Sequence, residues 1–179
     1  MRDEFIVPAM SRRAVFDVAG MVRALVPNAP AYLDVLHLAE VVLPRHLPDY
    51  QFDVVDDEEL GGRGGETARG IPYVKISRST YEGARAGIGR DRFTVAHELG
   101  HLFLHSHLGL ARSKRPAANQ LVKAYQSSEW QADTFGGALL MPVEHFRACA
   151  DDFEVVRMFG VSGKAALTQR RAYQKEFLL

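Results

Sequence analysis

Residues 90–104 read RDRFTVAHELGHLFL, from Arg90 to Leu104. The stretch has no proline, and its apolar residues lie almost all round a helical cylinder, which predicts a helix buried inside the domain. Asp91 is placed to act as its N-cap. In a helix, positions four apart lie about 40° round the axis and one turn along, so His97 and His101 present both imidazoles to one point. Glu98 projects about 100° away from His97, which suits a carboxylate beside that point rather than a third ligand. The spacing His-Glu-x-x-His reads as a zinc hydrolase site in which Glu98 acts on water as general base.

Such a site needs a third protein ligand and an open fourth position. His105 continues the series, but eight residues of helical rise, about 12 Å, separate it from His97. One ion cannot span that distance at zinc–nitrogen bond lengths of about 2.0–2.1 Å. His105 is therefore expected to make a hydrogen bond behind the ligands or a contact with the helix C-terminus. Glu129 is the stronger candidate. It lies in residues 127–142, SSEWQADTFGGALLMP, where Ser127 or Ser128 can cap a new helix that carries Glu129 and Asp133 on one face. Glu129 can complete a His-His-Glu set, and Asp133 can accept the free ring N–H of a ligating histidine. Gly136 and Gly137 fit a close crossing of the two helices. The donors suit Zn2+, with Mn2+ or another divalent ion also compatible. The second oxyanion donor is expected to be Tyr125 or a histidine after the motif.

These residues resemble the ImmA/IrrE-like zinc metallopeptidases, whose pattern is R-x-R-F-T-hydrophobic-A-H-E-L-G-H, a following L-H, and E-x-x-A-(N or D)-x-F leading to L-L-M-P. Here those are RDRFTVAHELGH at 90–101, Leu104-His105, EWQADTF at 129–135 and LLMP at 139–142. The paired Gly136-Gly137 departs from the alanines more usual in the family. The resemblance implies zinc held by His97, His101 and Glu129, with Glu98 as catalytic base and Asp133 as support. It implies a strand, short helix and glycine-rich link over 76–94, leading into the motif helix. It also implies a protein substrate, a helix-turn-helix repressor or antitoxin cut in stress or mobile-element regulation.

Composition fits one unit. At 179 residues with 47% hydrophobic content, the chain is expected to form a single metallopeptidase domain, 1–179. Within it, 1–48 would supply N-terminal helices, 49–142 the catalytic core and 143–179 C-terminal helices. The start, MRDEFIVPAMSRR, lacks an apolar signal region, and no apolar run is long enough to span a bilayer. Cys149 is the only cysteine, which excludes an internal disulfide and fits a reducing cytoplasm. It is expected to be a core residue.

The remaining chain predicts a mostly helical α+β zincin-like fold with a small sheet. Residues 12–26 and 31–43 have helical periodicity, with Ser11 as a cap and Pro27, Pro30 and Pro44 as breaks. Tyr50–Asp56 and Ile71–Ser77 read as strands around a glycine cluster at 61–65. Ile71–Ser77 is the candidate edge for pairing with an extended substrate. Arg112–Pro116 reads as a loop bordering the cleft. Beyond Pro142 the pattern is helix-turn-helix-like, with Lys164, Gln169, Arg170 and Arg171 on the last helix. Balanced charge, 22 basic against 22 acidic residues, gives no whole-chain case for nucleic-acid binding. Two further readings therefore stand beside the peptidase: a DNA-binding regulator with a non-catalytic metal site, and a metal-dependent partner-binding module.

Overall fold

The computed structural model describes residues 4–68, 70–108, 115–117 and 120–177. Helix α1 (Arg12–Arg23) starts where the Ala14 N–H donates to Ser11 Oγ, the cap that the sequence predicts. The second helix begins later than Ala31, because Asp34 caps it by accepting from the His37 N–H. It runs as α2 (Val35–His37), a π turn (Leu38–Val42) and α3 (Leu43–His46). Pro44 thus does not end it. Proline has no N–H to donate and its ring crowds the preceding turn. The wider π turn, in which the Leu43 N–H reaches Leu38 O, carries the helix past it.

Strand β1 (Gln51–Val55) pairs parallel with β3 (Tyr73–Ser77), and β3 pairs antiparallel with β2 (Gly65–Thr67). The order β1-β3-β2 corrects the expectation for Ile71–Ser77: the strand begins at Tyr73 and lies in the centre of the sheet, both its edges already bonded. The edge beside the helix that carries His97 and His101 is β2, which is three residues long and carries no run of apolar alternation. Val74 and Ile76 are fully buried, which fastens the sheet to the core.

Ser77 caps α4 (Arg78–Arg85), and a turn through Gly87, at φ 80°, leads into α5 (Gly89–His105). Ile88, not Asp91, occupies the N-cap position of α5. Asp91 sits in the first turn, where its charge complements the helix dipole, and its carboxylate packs over Gly83 of α4, filling space that a side chain there would occupy. A 3-10 turn (Ala124–Gln126) leads to α6 (Ser128–Leu140), capped by Ser127 as expected. Then come α7 (Val143–Phe146), α8 (Asp152–Phe159) and α9 (Gly163–Phe177), with Gly160 left-handed at the C-terminus of α8.

One apolar core runs from Val15 to Tyr173 and includes Val95, Ala96 and Leu99 of α5 and Phe135 and Leu139 of α6. Fully burying a side chain of the size of Val, Leu or Phe contributes about 1.5–3 kcal/mol, so these α5 and α6 residues stabilise the crossing of the two helices. Two arginines tie the periphery to that core through carbonyls. Arg92, 1% exposed, donates to Leu33 O, Phe159 O and Gly160 O, with its guanidinium 3.8 Å from the centre of the Tyr32 ring. Arg23 donates to Leu139 O, Pro30 O and Ala31 O. Cys149 is buried, as expected of a core residue, and burial pushes its thiol pKa up. No helix among the described residues is long and apolar enough to cross a membrane.

Candidate metal centre

The site forms where α5 and α6 cross. A methyl group at Gly100 would stand 2.9 Å from Ala132 Cα, so only glycine permits the two backbones to approach this closely. Gly136 faces the Ala96–His97 backbone across the same crossing, whereas Gly137 faces Gln169 of α9 instead. The approach brings Glu129 up to both histidines. His97 Nε2 is 3.0 Å from His101 Nε2 and 3.4 Å from Glu129 Oε2, and His101 Nε2 is 3.2 Å from Glu129 Oε1.

That triangle suits a metal ion. Ligands about 2.0–2.1 Å from a tetrahedral ion stand about 3.4 Å from one another, close to the three observed separations. Two imidazole nitrogens and a carboxylate are a common zinc donor set, and His97, His101 and Glu129 come together as such a group, with no further donor in it among the described residues. The residues therefore fit a divalent cation, and the sequence-derived ligand set is brought together as a unit.

The surrounding groups orient these donors. Asp133 Oδ1 lies 2.8 Å from His97 Nδ1, the contact expected of it. Burial works against a charged His97, but its hydrogen bonds to Asp133 and Glu129 and the nearby Glu98 prevail and raise its pKa to about 9. Burial likewise raises the Glu129 pKa, yet hydrogen bonds from His101 and His97 hold the carboxyl well below the usual range. His105, the last residue of α5, is not a ligand. Its Nδ1 lies 3.0 Å from His101 Nδ1, and its Nε2 lies 3.0 Å from Gln131 Oε1. Burial and the neighbouring His101 lower its pKa to about 4.

Glu98 is 7% exposed and is covered by β2. Thr67 Oγ1 lies 2.7 Å from Glu98 Oε2 and 2.9 Å from Glu98 O, and a methyl group at Gly65 would stand 2.6 Å from Glu98 Cγ. Thr67, Gly65 and Gln131 are absent from the residues that sequence reasoning selects. Nothing local marks Thr67 and Gln131 for the site, since the site residues they touch, Glu98 and His105, lie 31 and 26 positions away.

A cleft of about 1050 Å3 opens over these groups, bordered by β2, α5, α6 and α9. Its volume lies at the top of the range for small-molecule pockets, about 300–1,000 Å3. Tyr125 and His107 do not line it, whereas His105 does, with its two ring nitrogens already turned to His101 and Gln131, so none of the expected oxyanion donors presents a hydrogen to the cleft. Arg115 stacks 5.5 Å from the ring of Phe5, a residue of the cleft wall, while residues 112–114 of the expected bordering loop lie outside the described residues. On α9, Gln169 is buried and Arg170 pairs with Asp152 at 2.6 Å, which leaves Lys164 and Arg171 exposed.

A mostly helical α+β domain with a mixed three-stranded sheet and a His-His-Glu donor set on crossing helices is of the zincin-like type. Residues 81–168 match the family model Peptidase_M78, described as the IrrE N-terminal-like domain, so this segment is similar to that metallopeptidase family. No curated protein matches the chain.

Proposed function

We propose that this chain is a zinc-dependent endopeptidase that hydrolyses a peptide bond in a specific protein, a helix-turn-helix repressor or antitoxin in stress or mobile-element regulation. The observation that carries the reading is the donor triangle of His97, His101 and Glu129 with Glu98 beside it at the floor of the cleft. Bound there, zinc supplies Lewis acidity, which lowers the pKa of water and polarises a scissile carbonyl. Glu98 takes the proton from the attacking water and passes it to the leaving amine. Thr67 holds Oε2 of that carboxylate, which fixes its direction and leaves Oε1 to act on the water. Asp133 holds His97 through Nδ1, so that Nε2 carries the ligating lone pair.

The cleft supports a polypeptide substrate. β2 offers a strand edge along one wall, to which an extended peptide can add by main-chain hydrogen bonds. The substrate class rests on the family resemblance. The test is to incubate the zinc-loaded protein and its Glu98→Gln variant with a repressor encoded beside it and to measure intact masses. Fragments from the wild type alone support the peptidase. Binding without cleavage would favour the partner-binding module, and duplex-DNA affinity that falls steeply with salt would favour the DNA-binding regulator.

A further inference from the structure

We propose that Gln131, acting through His105, fixes the tautomer of His101 and so the lone pair that His101 offers to the ion; the inference rests on the metal-site reading above. Gln131 is 1% exposed, and its Nε2 donates to Pro8 O and Tyr125 O, each at 2.9 Å. Both amide hydrogens are thereby used on backbone carbonyls. Turning the amide over would set its oxygen against two other oxygens, so Oε1 is held towards His105.

The consequence passes along the chain of contacts. Oε1 can only accept, so His105 Nε2, 3.0 Å away, carries a hydrogen. His105 is 8% exposed, and its described hydrogen-bond partners are the His101 imidazole and the Gln131 amide, neither of which is an anion. A second proton would make it a buried cation without a hydrogen-bonded counter-charge, so its Nδ1 is bare. His101 Nδ1 lies 3.0 Å from that bare nitrogen and must donate to it. His101 Nε2 is then the ring nitrogen left for an ion, and it is the atom that faces His97 and Glu129.

The two histidine ligands thus reach the same tautomer by different means. A carboxylate, Asp133, directs His97, whereas an uncharged relay directs His101. The relay is anchored on the N-terminal segment, whose pairing with the start of α6 runs through Val7 N to Gln126 O and Ser128 N to Phe5 O. Gln131 and His105 are positioning residues in this scheme, held by contacts that link the chain's beginning to its metal site.

The test uses the full chain labelled with 15N, metal-free and with zinc alone, and long-range proton–nitrogen spectra that report which ring nitrogen is protonated. Expected are hydrogen on Nε2 of His105 and on Nδ1 of His101 in both states. Hydrogen on Nδ1 of His105 overturns the relay. Gln131→Met and His105→Phe should each weaken zinc binding about 10–100-fold in folded protein, with His101 in mixed tautomers in the metal-free Gln131→Met variant. Unchanged zinc affinity in both also overturns it. If neither variant folds, the wild-type spectra decide alone. If the wild type binds no zinc, the metal-site reading falls, while the metal-free spectra still decide the relay.

Discussion

Thr67 and Glu98 are joined by a 2.7 Å hydrogen bond between hydroxyl and carboxylate across 31 residues of sequence. The bond places an edge-strand hydroxyl on the proposed base. Thr67→Val keeps the shape of the side chain and removes the hydroxyl. A hydrogen bond to a charged group contributes about 1.5–3 kcal/mol, so turnover should fall about 10–100-fold. Zinc content should be unaffected, and Thr67→Ser should restore most of the rate. Single-turnover cleavage assays with parallel metal analysis check this, and an unchanged rate for Thr67→Val would remove Thr67 from the mechanism.

Glu98 and the donor residues should separate cleanly by what their loss does. Glu98→Gln should reduce turnover by at least about 10²–10⁴-fold, the usual contribution of a general base, with metal retained. His97→Ala or His101→Ala should release the metal. Metal analysis of the purified variants distinguishes the roles, and the reverse pattern would exchange them.

The helix crossing sets a prediction about packing. Gly100→Ala would press a methyl group against the Ala132 backbone at 2.9 Å, an overpacking that should cost about 1–3 kcal/mol and weaken metal binding by moving Glu129 away. Gly20 of α1 has open space around it, and Gly20→Ala should stabilise the protein by about 0.5–1 kcal/mol through helix propensity. Denaturant unfolding of both variants tests the contrast. Equal effects would mean that the α5–α6 approach is not tight.

Proton and metal compete at His97. In the metal-free protein its pKa is raised to about 9 by Asp133, Glu129 and Glu98 acting against burial. A raised histidine contributes stability fully below its unfolded pKa of about 6.5, and that contribution is lost as pH rises through about 9. Glu129 has the opposite sign: its depressed pKa gives stability above the unfolded carboxyl value, lost as pH falls. Metal-free protein should therefore lose thermal stability between about pH 6.5 and 9, while apparent zinc affinity rises over the same interval. Thermal midpoints with and without zinc check both slopes, and parallel curves would show that the ion does not displace this proton.

The sequence by itself determined what one element's geometry controls. Residues 90–104 form a buried helix because their apolar positions surround it, and His97 and His101 converge because four residues make about one turn. Glu129 and Asp133 share a face for the same reason, and Ser11 and Ser127 stop the chain where their hydroxyls can accept from backbone N–H groups. Even there, local rules left Asp91 misplaced, because its carboxylate finds a site over Gly83 that no spacing announces. Only the tertiary structure decided which strand is the edge, which threonine touches Glu98 and which glutamine lies behind His105. Those pairings join positions 26 to 31 residues apart, and Gln131 reaches 123 residues back to Pro8. Such contacts are set by how whole elements pack, and the periodicity within an element carries no record of the neighbour that it will meet.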